Sequence, residues 1–321
     1  MTALRASLPA GILAGFLADL VLADPRRGHP VAGFGWAATG LERLSYRDSR
    51  AAGTLHTAVL AGGVTTAAAV LQHRVRSGWV RAALMAAATW TALGGTTLAR
   101  TGTHMAELLE ADDIAGARSL LPSLCGRDPA ALDSAGLARA ACESIAENTS
   151  DAQVAPLFWA AVAGMPGVLG YRAVNTLDAM IGNRSQRYAR FGWAAARLDD
   201  VVNYIPARLT GALVLVCAPL GGGSPVRAAR AWRRDAARHP SPNAGVAEAS
   251  FAGALGVRLG GPTQYRYQLE IRPTLGDGAV PGPADLRRAV RLSRMVQTGA
   301  LAGALAISAV GRSGRRASAR G

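Results

Sequence analysis

The side chains best suited to chemistry lie close together in residues 175–208, which read NTLDAMIGNRSQRYARFGWAAARLDDVVNYIPAR. If this stretch is helical, Asn175 and Asp178 are spaced i, i+3 and share a helix face. Asp199 and Asn203, spaced i, i+4, share another. Oxygen ligands from two helix faces suit a Mg²⁺ ion that also holds phosphate oxygens. The arginines of the stretch suit planar, bidentate capture of phosphate or carboxylate.

The alternative interpretation of this stretch is a solvated helix face laced with salt bridges between residues four apart. For any single pair the two interpretations are equally good. The run as a whole favours a functional site, because it is flanked by apolar, membrane-like segments. Acids, amides and arginines at such density are costly there unless they are used.

A second acidic stripe comes earlier in the chain, where Glu143, Glu147 and Asp151 are spaced four residues apart. Like charges at this spacing destabilise a helix unless a cation or a proton separates them. An exposed acidic face is the simpler alternative. The stripe runs directly into the apolar sequence AQVAPLFWAAVAG, which favours a functional role.

Two further segments combine polar side chains with glycine and proline. In DPRRGHPVAGFG, His29 could be a ligand or a proton-transfer group, although a histidine in a turn is more often only a hydrogen-bonding residue. In SPNAGVAEASFAGALGVRLGGP, Ser241 or Asn243 is predicted to cap a helix that carries Glu248. The glycines of this second segment permit the close backbone approach of a phosphate cradle, although they match no standard motif.

The composition predicts an integral membrane protein. Of 321 residues, 50% are hydrophobic and only 17% are charged, and apolar runs recur along the chain. Aromatic residues make up 5%, so helices are expected to pack through small side chains. We predict an all-α, polytopic membrane bundle forming one domain over residues 1–321, with polar helices facing the cytoplasm, short irregular connections and a disordered basic tail at 312–321. The predicted apolar segments are 8–23, 55–71, 80–99, 152–172, 205–221 and 297–311.

The segment 152–172 is interrupted by Gly164-Met165-Pro166-Gly167. A full crossing would place the acidic stripe and the 175–208 stretch on opposite sides of the bilayer. A re-entrant hairpin would keep them on one side, with helix ends that could face a ligand. We therefore prefer the hairpin. The first segment resembles a signal peptide, but Asp19 interrupts it and we expect a retained helix.

The charge balance excludes several functions. The chain has 35 basic and 21 acidic residues, and every basic residue is arginine. No basic cluster is interleaved with aromatics, so we expect contact with anionic lipid and not with nucleic acid. Without lysine there can be no Gly-Lys phosphate loop and no Schiff base. The three cysteines are widely spaced and are expected to be ordinary buried thiols.

Four blocks of this sequence together resemble a known family. They are DPRRGHPVAGFG, ESIAENTSDAQVAPLFW, the stretch 175–208 and SPNAGVAEASFAGALGVRLGGP, and they are distributed over residues 24–262. In order and spacing they are similar to the adenosylcobinamide-phosphate synthases of cobalamin biosynthesis. The family has Tyr and Lys where this sequence has Asn183 and Arg184. The charge is kept at the second position, whereas the hydrogen-bonding geometry changes.

The resemblance implies a multi-pass ligase of the cell membrane whose active site faces the cytoplasm. Such enzymes consume ATP to join aminopropanol phosphate, or a similar amino-alcohol phosphate, to a propionate of adenosylcobyric acid. Mg²⁺ would bridge the phosphates, and other corrinoid-pathway enzymes are potential partners.

This chemistry gives the candidate residues expected roles. The expected metal ligands are Asp178, Asp199, Asp200, Asn203 and Asp151. The expected substrate- and phosphate-binding residues are Arg184, Arg187, Arg197, Arg208, Asn175, Asn243 and Glu248. The attacking ammonium must lose a proton, and the candidate catalytic bases are Glu143, Glu147 and His29.

Two other classes of function are compatible with the residues. A membrane prenyl- or alcohol-phosphate transferase would also use acids and amides between helices to hold Mg²⁺-diphosphate, and it would act on lipid without ATP. A transporter or non-catalytic corrinoid-binding protein would explain a broken helix and intramembrane polar residues. It would bind a corrinoid and release no ADP.

Overall fold

The computed structural model describes residues 2–25, 27–183, 185–264 and 269–317. The described residues are mainly helical, which confirms the all-α prediction, and among them a single small hairpin interrupts the helices. The helices are α1 (Thr2–Leu22), α2 (Pro30–Ser45), α3 (Arg50–Arg74), α4 (Gly78–Ala92), α5 (Gly95–Glu110), α6 (Ile114–Leu120), α7 (Ser134–Thr149), α8 (Ala155–Ile181), α9 (Tyr188–Phe191), α10 (Trp193–Val202), α11 (Tyr204–Cys217), α12 (Pro225–Asp235), α13 (Ala244–Leu255) and α14 (Pro283–Ala317). Strands β1 (Leu259–Gln264) and β2 (Leu269–Leu275) pair antiparallel.

Three helical stretches of the described chain are long and apolar enough to cross a membrane. They are Arg50–Arg74, Ser134–Ile181 and Tyr204–Gly221. The first and third contain the predicted segments 55–71 and 205–221. Polytopic membrane architecture therefore follows from helix length and composition.

Two predicted segments differ in the structure. The segment 80–99 is two helices, because α4 ends at Ala92, Leu93 has an extended backbone and α5 begins at Gly95. The pair Gly94-Gly95 favours a break, since glycine in a helix interior costs about 0.5–1 kcal/mol relative to alanine. The segment 297–311 is part of a single 35-residue helix, α14. That helix continues to Ala317. The disorder predicted for the tail 312–321 stays a prediction, and residues 318–321 lie outside the described part of the chain.

The predicted interruption of the segment 152–172 is confirmed. Residues Ser150–Val154 form a π-helical turn, and the following α8 is broken at Gly164, where φ is 65° and ψ is −148°. The Met165 N–H, which the break removes from the helical ladder, donates to Gln72 Oε1 at 2.9 Å. Pro166 has no N–H to satisfy. The re-entrant path itself remains a prediction.

The contacts within the chain form two compact units, each assembled from separated parts of the sequence. Unit 1 contains Met1–Gly94, Ala155–Asn203 and Ala300–Gly321. Unit 2 contains Gly95–Val154 and Tyr204–Gly299. The single-domain organisation remains a prediction, and each unit is described by itself.

Unit 1 has a core where α8, α3 and α10 meet. Leu177, Ile181, Phe191 and Ala195 are fully or almost fully buried there. In unit 2 the centre is α13, every residue of which is buried. Helices α11, α12 and α7 pack on α13, and one acidic residue, Glu248, lies in the middle of this apolar helix. Each core is thus arranged around the helix that carries polar candidate residues.

Candidate functional site

In unit 1, α8 and α10 bring together two carboxamides, Asn175 and Asn203, and one carboxylate of the 175–208 stretch. Asn203 Nδ2 donates to Asp199 Oδ2 at 2.9 Å, and Asn175 Nδ2 donates to Asp199 Oδ1 at 3.3 Å. The Tyr171 hydroxyl donates to Asn203 Oδ1 at 2.9 Å. Asn203 is buried, whereas Asp199 is half-buried. The spacing argument therefore placed Asp199 and Asn203 correctly, and the fold adds Asn175 from a second helix.

The other acidic candidates of unit 1 lie beside this network along the same helices. Asp178 is half-buried near the C-terminus of α8, where its backbone carbonyl accepts the Gly182 N–H at 2.7 Å. Asp200 pairs with Arg197 across 3.5 Å. Asp151 belongs to the π-helical turn of unit 2. Among the described residues, no group of three or more His, Cys, Asp or Glu side chains is arranged to hold a metal ion.

The donor chemistry of the Asp199 network still fits magnesium bound together with a nucleotide. Mg²⁺ in such sites keeps several waters and takes one or two carboxylates plus phosphate oxygens, so it does not need three acidic side chains. Asp199 supplies a carboxylate, and the two carboxamides can each present an oxygen if they rotate. Asp199, Asn203 and Asn175 are accordingly the residues that would hold the ion.

Arg187 is held by a partner that the sequence patterns did not indicate. Its Nη2 lies 2.8 Å from Oε1 of Glu42, whose side chain is only 9% exposed. The Tyr188 hydroxyl donates to the same oxygen at 3.1 Å, and the guanidinium stacks on the Tyr46 ring at 4.0 Å. Glu42 lies thirteen residues after His29 in an ordinary amphipathic helix, which gives no signal of this contact. Arg187 thus ties α2 to the start of α9.

The remaining arginine candidates differ in their surroundings. Arg197 is 66% exposed and contacts Asp200. Arg208, in unit 2, donates to Asn243 Oδ1 at 2.7 Å and stacks on the Tyr204 ring at 3.6 Å, so two predicted substrate-binding residues meet there. Arg184 lies outside the described residues.

His29 is the N-cap of α2. Its Nδ1 accepts the Val31 N–H at 3.1 Å, and its Nε2 lies 3.4 Å from Asp24 Oδ1. When Nδ1 accepts a hydrogen bond, the proton of a neutral imidazole is on Nε2, where it faces the carboxylate. Both ring nitrogens are therefore engaged, which agrees with the hydrogen-bonding interpretation of a histidine in a turn.

In unit 2, Glu143 is buried, and each of its carboxylate oxygens accepts a hydrogen bond. Its Oε2 accepts from Arg127 Nη2 in a close ion pair, and both side chains are about 5% exposed or less. Its Oε1 accepts the Gly260 N–H at 2.7 Å. Gly260 has φ of +79°, and a Cβ there would lie 2.0 Å from the Pro273 carbonyl oxygen, so glycine is required. Glu143 thereby connects α7 to a loop and to the hairpin.

Glu248 lies in the same region with far fewer contacts. It is 1% exposed, and neither carboxylate oxygen has a hydrogen-bond partner among the described residues. His239 Nε2 lies 3.6 Å from Glu248 Oε1, and Arg272 Nη1 lies 4.0 Å from it. Burial raises the pKa of Glu248 well above the ordinary glutamate range, and the neighbouring Glu143 and Glu147 raise it further. Burial also lowers the pKa of His239.

Glu147 completes this group of charges. It lies one helical turn after Glu143 on α7, its side chain is exposed, and it interacts electrostatically with Glu248, Arg272 and Arg127. The structure thus brings together Glu143, Glu147 and Glu248, which the sequence patterns assigned separately. It adds three residues that those patterns missed: Arg127, His239 and Arg272. A buried arginine in a loop has no local signature, because its burial depends on chain segments far away in the sequence.

The chain is similar to known proteins over most of its length. The family model described as CobD/Cbib protein matches residues 12–293. The Cobalamin biosynthesis protein CobD of Mycobacterium tuberculosis is 66% identical over 290 residues, covering 90% of this chain and 92% of that protein. The protein of the same name from Rhodobacter capsulatus is 43% identical over 290 residues, covering 88% and 91%. No solved structure matches the chain.

Proposed function

The chain belongs to the CobD/Cbib protein family of cobalamin biosynthesis, and on that premise we propose that it is an ATP-dependent amide ligase. It joins an amino-alcohol phosphate such as aminopropanol phosphate to a propionate of adenosylcobyric acid. The product is adenosylcobinamide phosphate. This assignment agrees with the family resemblance of the four sequence blocks.

The observation that carries the proposal is the group of opposite charges in unit 2. Glu143, Glu147 and Glu248 lie among the guanidinium groups of Arg127 and Arg272, in a setting that is largely buried. Amide formation requires both kinds of charge. Carboxylates can hold the ammonium of the amine and take its proton, and guanidinium groups can hold the anionic acyl donor.

The reaction balances with ATP as the activating substrate. The propionate oxygen takes the terminal phosphoryl group, which gives an acyl phosphate and ADP. The amine nitrogen then forms the C–N bond with the carbonyl carbon. The C–O bond to phosphate breaks, and phosphate leaves with the electron pair. The nitrogen releases its surplus protons to a base and to the departing phosphate.

Unit 1 supplies the residues suited to the nucleotide. Asp199, Asn203 and Asn175 would hold Mg²⁺, which, when bound, offsets the negative charge of the triphosphate. The exposed guanidinium of Arg197 is available to phosphate at its outer edge. We assign the phosphate-clamp role to Arg197 ahead of Arg187, because Arg187 already binds Glu42.

We place the enzyme in the cell membrane with its active site facing the cytoplasm. The three long apolar helices support the membrane location. The cytoplasmic orientation follows from the proposed substrates, since ATP and the amino-alcohol phosphate are cytosolic.

To test the proposal, the purified, detergent-solubilised protein is incubated with adenosylcobyric acid, aminopropanol phosphate, Mg²⁺ and ATP. The mass of the corrinoid is then measured. We expect a mass gain equal to amide formation that requires both ATP and the amine. Corrinoid binding without any product would support a transport or binding protein instead. Neither binding nor product in folded protein would leave the membrane phosphotransferase as the function to test.

A further inference from the structure

Three carboxylates in unit 2 differ in burial and in how many hydrogen bonds they accept. Glu143 accepts hydrogen bonds on both oxygens, from Arg127 and from the Gly260 N–H. Glu147 is exposed and can be solvated. Glu248 is buried, and neither of its oxygens has a hydrogen-bond partner in the described part of the chain. A buried charged group that makes no hydrogen bond is unfavourable, so such a group calls for a ligand or a proton.

His239, which faces Glu248, is also buried and also has a ring nitrogen without a hydrogen-bond partner within the described chain. Its side chain is 3% exposed, and its Nε2 lies 3.6 Å from Glu248 Oε1 without another hydrogen-bond partner among the described residues. Its Nδ1 is within 3.1 Å of both the Ser241 N–H and the Ser241 carbonyl oxygen. Nδ1 can therefore accept from the Ser241 N–H or donate to the Ser241 carbonyl oxygen, so both neutral tautomers of His239 are possible. In one tautomer Nε2 donates to Glu248, and in the other it can accept a proton from Glu248.

The charges around Glu248 favour a cation. The groups facing it are His239 before α13, Arg272 on β2, Arg127 in the loop before α7, and Glu143 and Glu147 on α7. With His239 neutral, three carboxylates outnumber two guanidinium groups, and Arg272 also lies 3.9 Å from the carboxylate of Glu270 on β2. An ammonium group or a proton on Glu248 reduces this excess of negative charge.

We propose that Glu248 binds the ammonium of the amino-alcohol phosphate and takes its proton as the catalytic base, with His239 as the positioning residue that receives or returns this proton. The assignment rests on the proposed ligase function and selects a base that the sequence patterns did not. The ammonium gives one proton to Glu248, and the neutral nitrogen attacks the acyl carbon. As the C–N bond forms, the nitrogen's second proton goes to the departing phosphate. Glu248 then returns its proton to solvent through His239 or past the exposed Glu147.

The raised pKa of Glu248 has a defined kinetic consequence. The base must be ionised, so activity rises as pH rises through the pKa of Glu248. Because burial moves this pKa above the ordinary glutamate value of 4.5, the acid limb of the rate profile lies at higher pH than for an exposed glutamate. Binding of the ammonium to a protonated site releases a proton, which a purely structural glutamate would not do.

The experiment compares wild type with Glu248→Gln, His239→Asn and the surface control Glu107→Gln, each as full-length protein in lipid nanodiscs. Amide formation is measured against pH, and proton release on binding aminopropanol phosphate is measured by calorimetry in two buffers of different ionisation enthalpy. Thermal unfolding of each variant identifies any that fails to fold, and Glu248→Asp then serves as the second variant.

We expect Glu248→Gln to lower kcat by about 10²–10⁴-fold and to abolish both the acid limb and the proton release. His239→Asn should displace the acid limb and retain activity at high pH, and Glu107→Gln should match wild type. An active wild type together with a Glu248→Gln variant of similar kcat and unchanged pH profile overturns the inference alone. A wild type that forms no amide under any condition overturns the proposed function, and the catalytic role of Glu248 with it.

Discussion

The charged residues of the two units differ in how many hydrogen bonds they already make within the protein. Both oxygens of Glu143 accept hydrogen bonds, and Arg187 donates to Glu42 through Nε and Nη2. Arg197 has one ion-pair partner at its exposed end, and Glu248 has none at hydrogen-bond distance among the described residues. A charged group that already forms hydrogen bonds within the folded chain stabilises the fold. A charged group whose hydrogen-bonding atoms have no partner is available to bind a substrate.

Asp199 is the residue whose loss should stop the reaction most completely. Asp199→Ala, and likewise Asp200→Ala, should abolish amide formation and leave the protein folded in the membrane, because acidic oxygens are lost where Mg²⁺ and ATP are proposed to bind. The measurement is product mass, together with thermal unfolding in detergent. Asp48→Ala, which removes an exposed acid 3.7 Å from Arg190, is the matched control. Full activity in both variants would remove this stretch from the site.

Arg187 and Arg197 form a pair of variants that separates structure from substrate binding. Arg187→Ala leaves the 9%-exposed Glu42 without its guanidinium partner, so we expect a lower unfolding free energy than that of wild type. Arg197→Ala breaks only an exposed pair and should change stability by less than about 1 kcal/mol while raising KM for ATP. Denaturant unfolding and steady-state kinetics test both expectations. Equal stability of the two variants would contradict the structural role of Arg187.

At the scale of helices, the structure depends on a few positions where the backbone must leave helical geometry. Gly164 interrupts α8 with φ of 65° and ψ of −148°, a region that residues with a side chain rarely adopt. The freed Met165 N–H is satisfied by Gln72 of α3. The break in α8 therefore exposes an N–H group whose hydrogen bond connects α8 to α3.

Gly164→Ala should destabilise the protein. A Cβ there would lie 2.7 Å from Gln72 Oε1 and would occupy a strained backbone region, which costs of order 1–3 kcal/mol. Gly62→Ala in the interior of α3 meets nothing within 4 Å, so it should be neutral or stabilising. The thermal unfolding midpoints of the two variants in one detergent provide the comparison. A Gly164→Ala midpoint equal to that of wild type would show that the chain relaxes at the break without cost.

Asp235 fixes the C-terminus of α12 to the turn after β2, and its role should depend on pH. Burial alone would raise its pKa, but hydrogen bonds from Arg234 and from the Gly276 N–H at 2.9 Å lower it. A carboxyl with a depressed folded-state pKa stabilises the fold above its unfolded value of 3.8, and this contribution is lost as pH falls through the folded-state pKa. Asp235→Asn should therefore be less stable than wild type at pH 7, and the difference should shrink below about pH 4. Urea unfolding at both pH values measures this, and a difference independent of pH would contradict it.

At the scale of the whole molecule, three long apolar helices determine where the protein resides. Each can span roughly 30 Å of hydrocarbon, and exposed apolar side chains such as Leu55 and Val59 on α3 need a nonpolar surrounding. Candidate residues that include Glu143, Asn175 and Asp178 lie within one of these stretches, Ser134–Ile181.

The expressed protein should therefore sediment with cell membranes. Washing with 1 M salt or alkaline carbonate should leave it in the pellet, and only detergent should release it, since apolar burial and not surface charge retains it. An antibody blot of each fraction is the measurement, with a known peripheral protein as the control. Release by salt alone would contradict the presence of spanning helices.

Composition and short-range spacing determined much of this protein without its structure. Apolar runs identified the spans within α3 and α11 because a helix needs only its own residues to be long and hydrophobic. The i, i+4 spacing of Asp199 and Asn203 and the break at Gly164 also depend on neighbours a few residues away. The family could be recognised from the sequence for the same reason, because its motifs are short stretches of consecutive residues.

Only the tertiary structure decided which charges meet and which are already used. Arg127 reaches Glu143 from a loop, His239 faces Glu248 from the end before α13, and Glu42 holds Arg187 from 145 residues away. Electrostatic partners and burial depend on distances through space, and sequence separation carries almost no information about those distances.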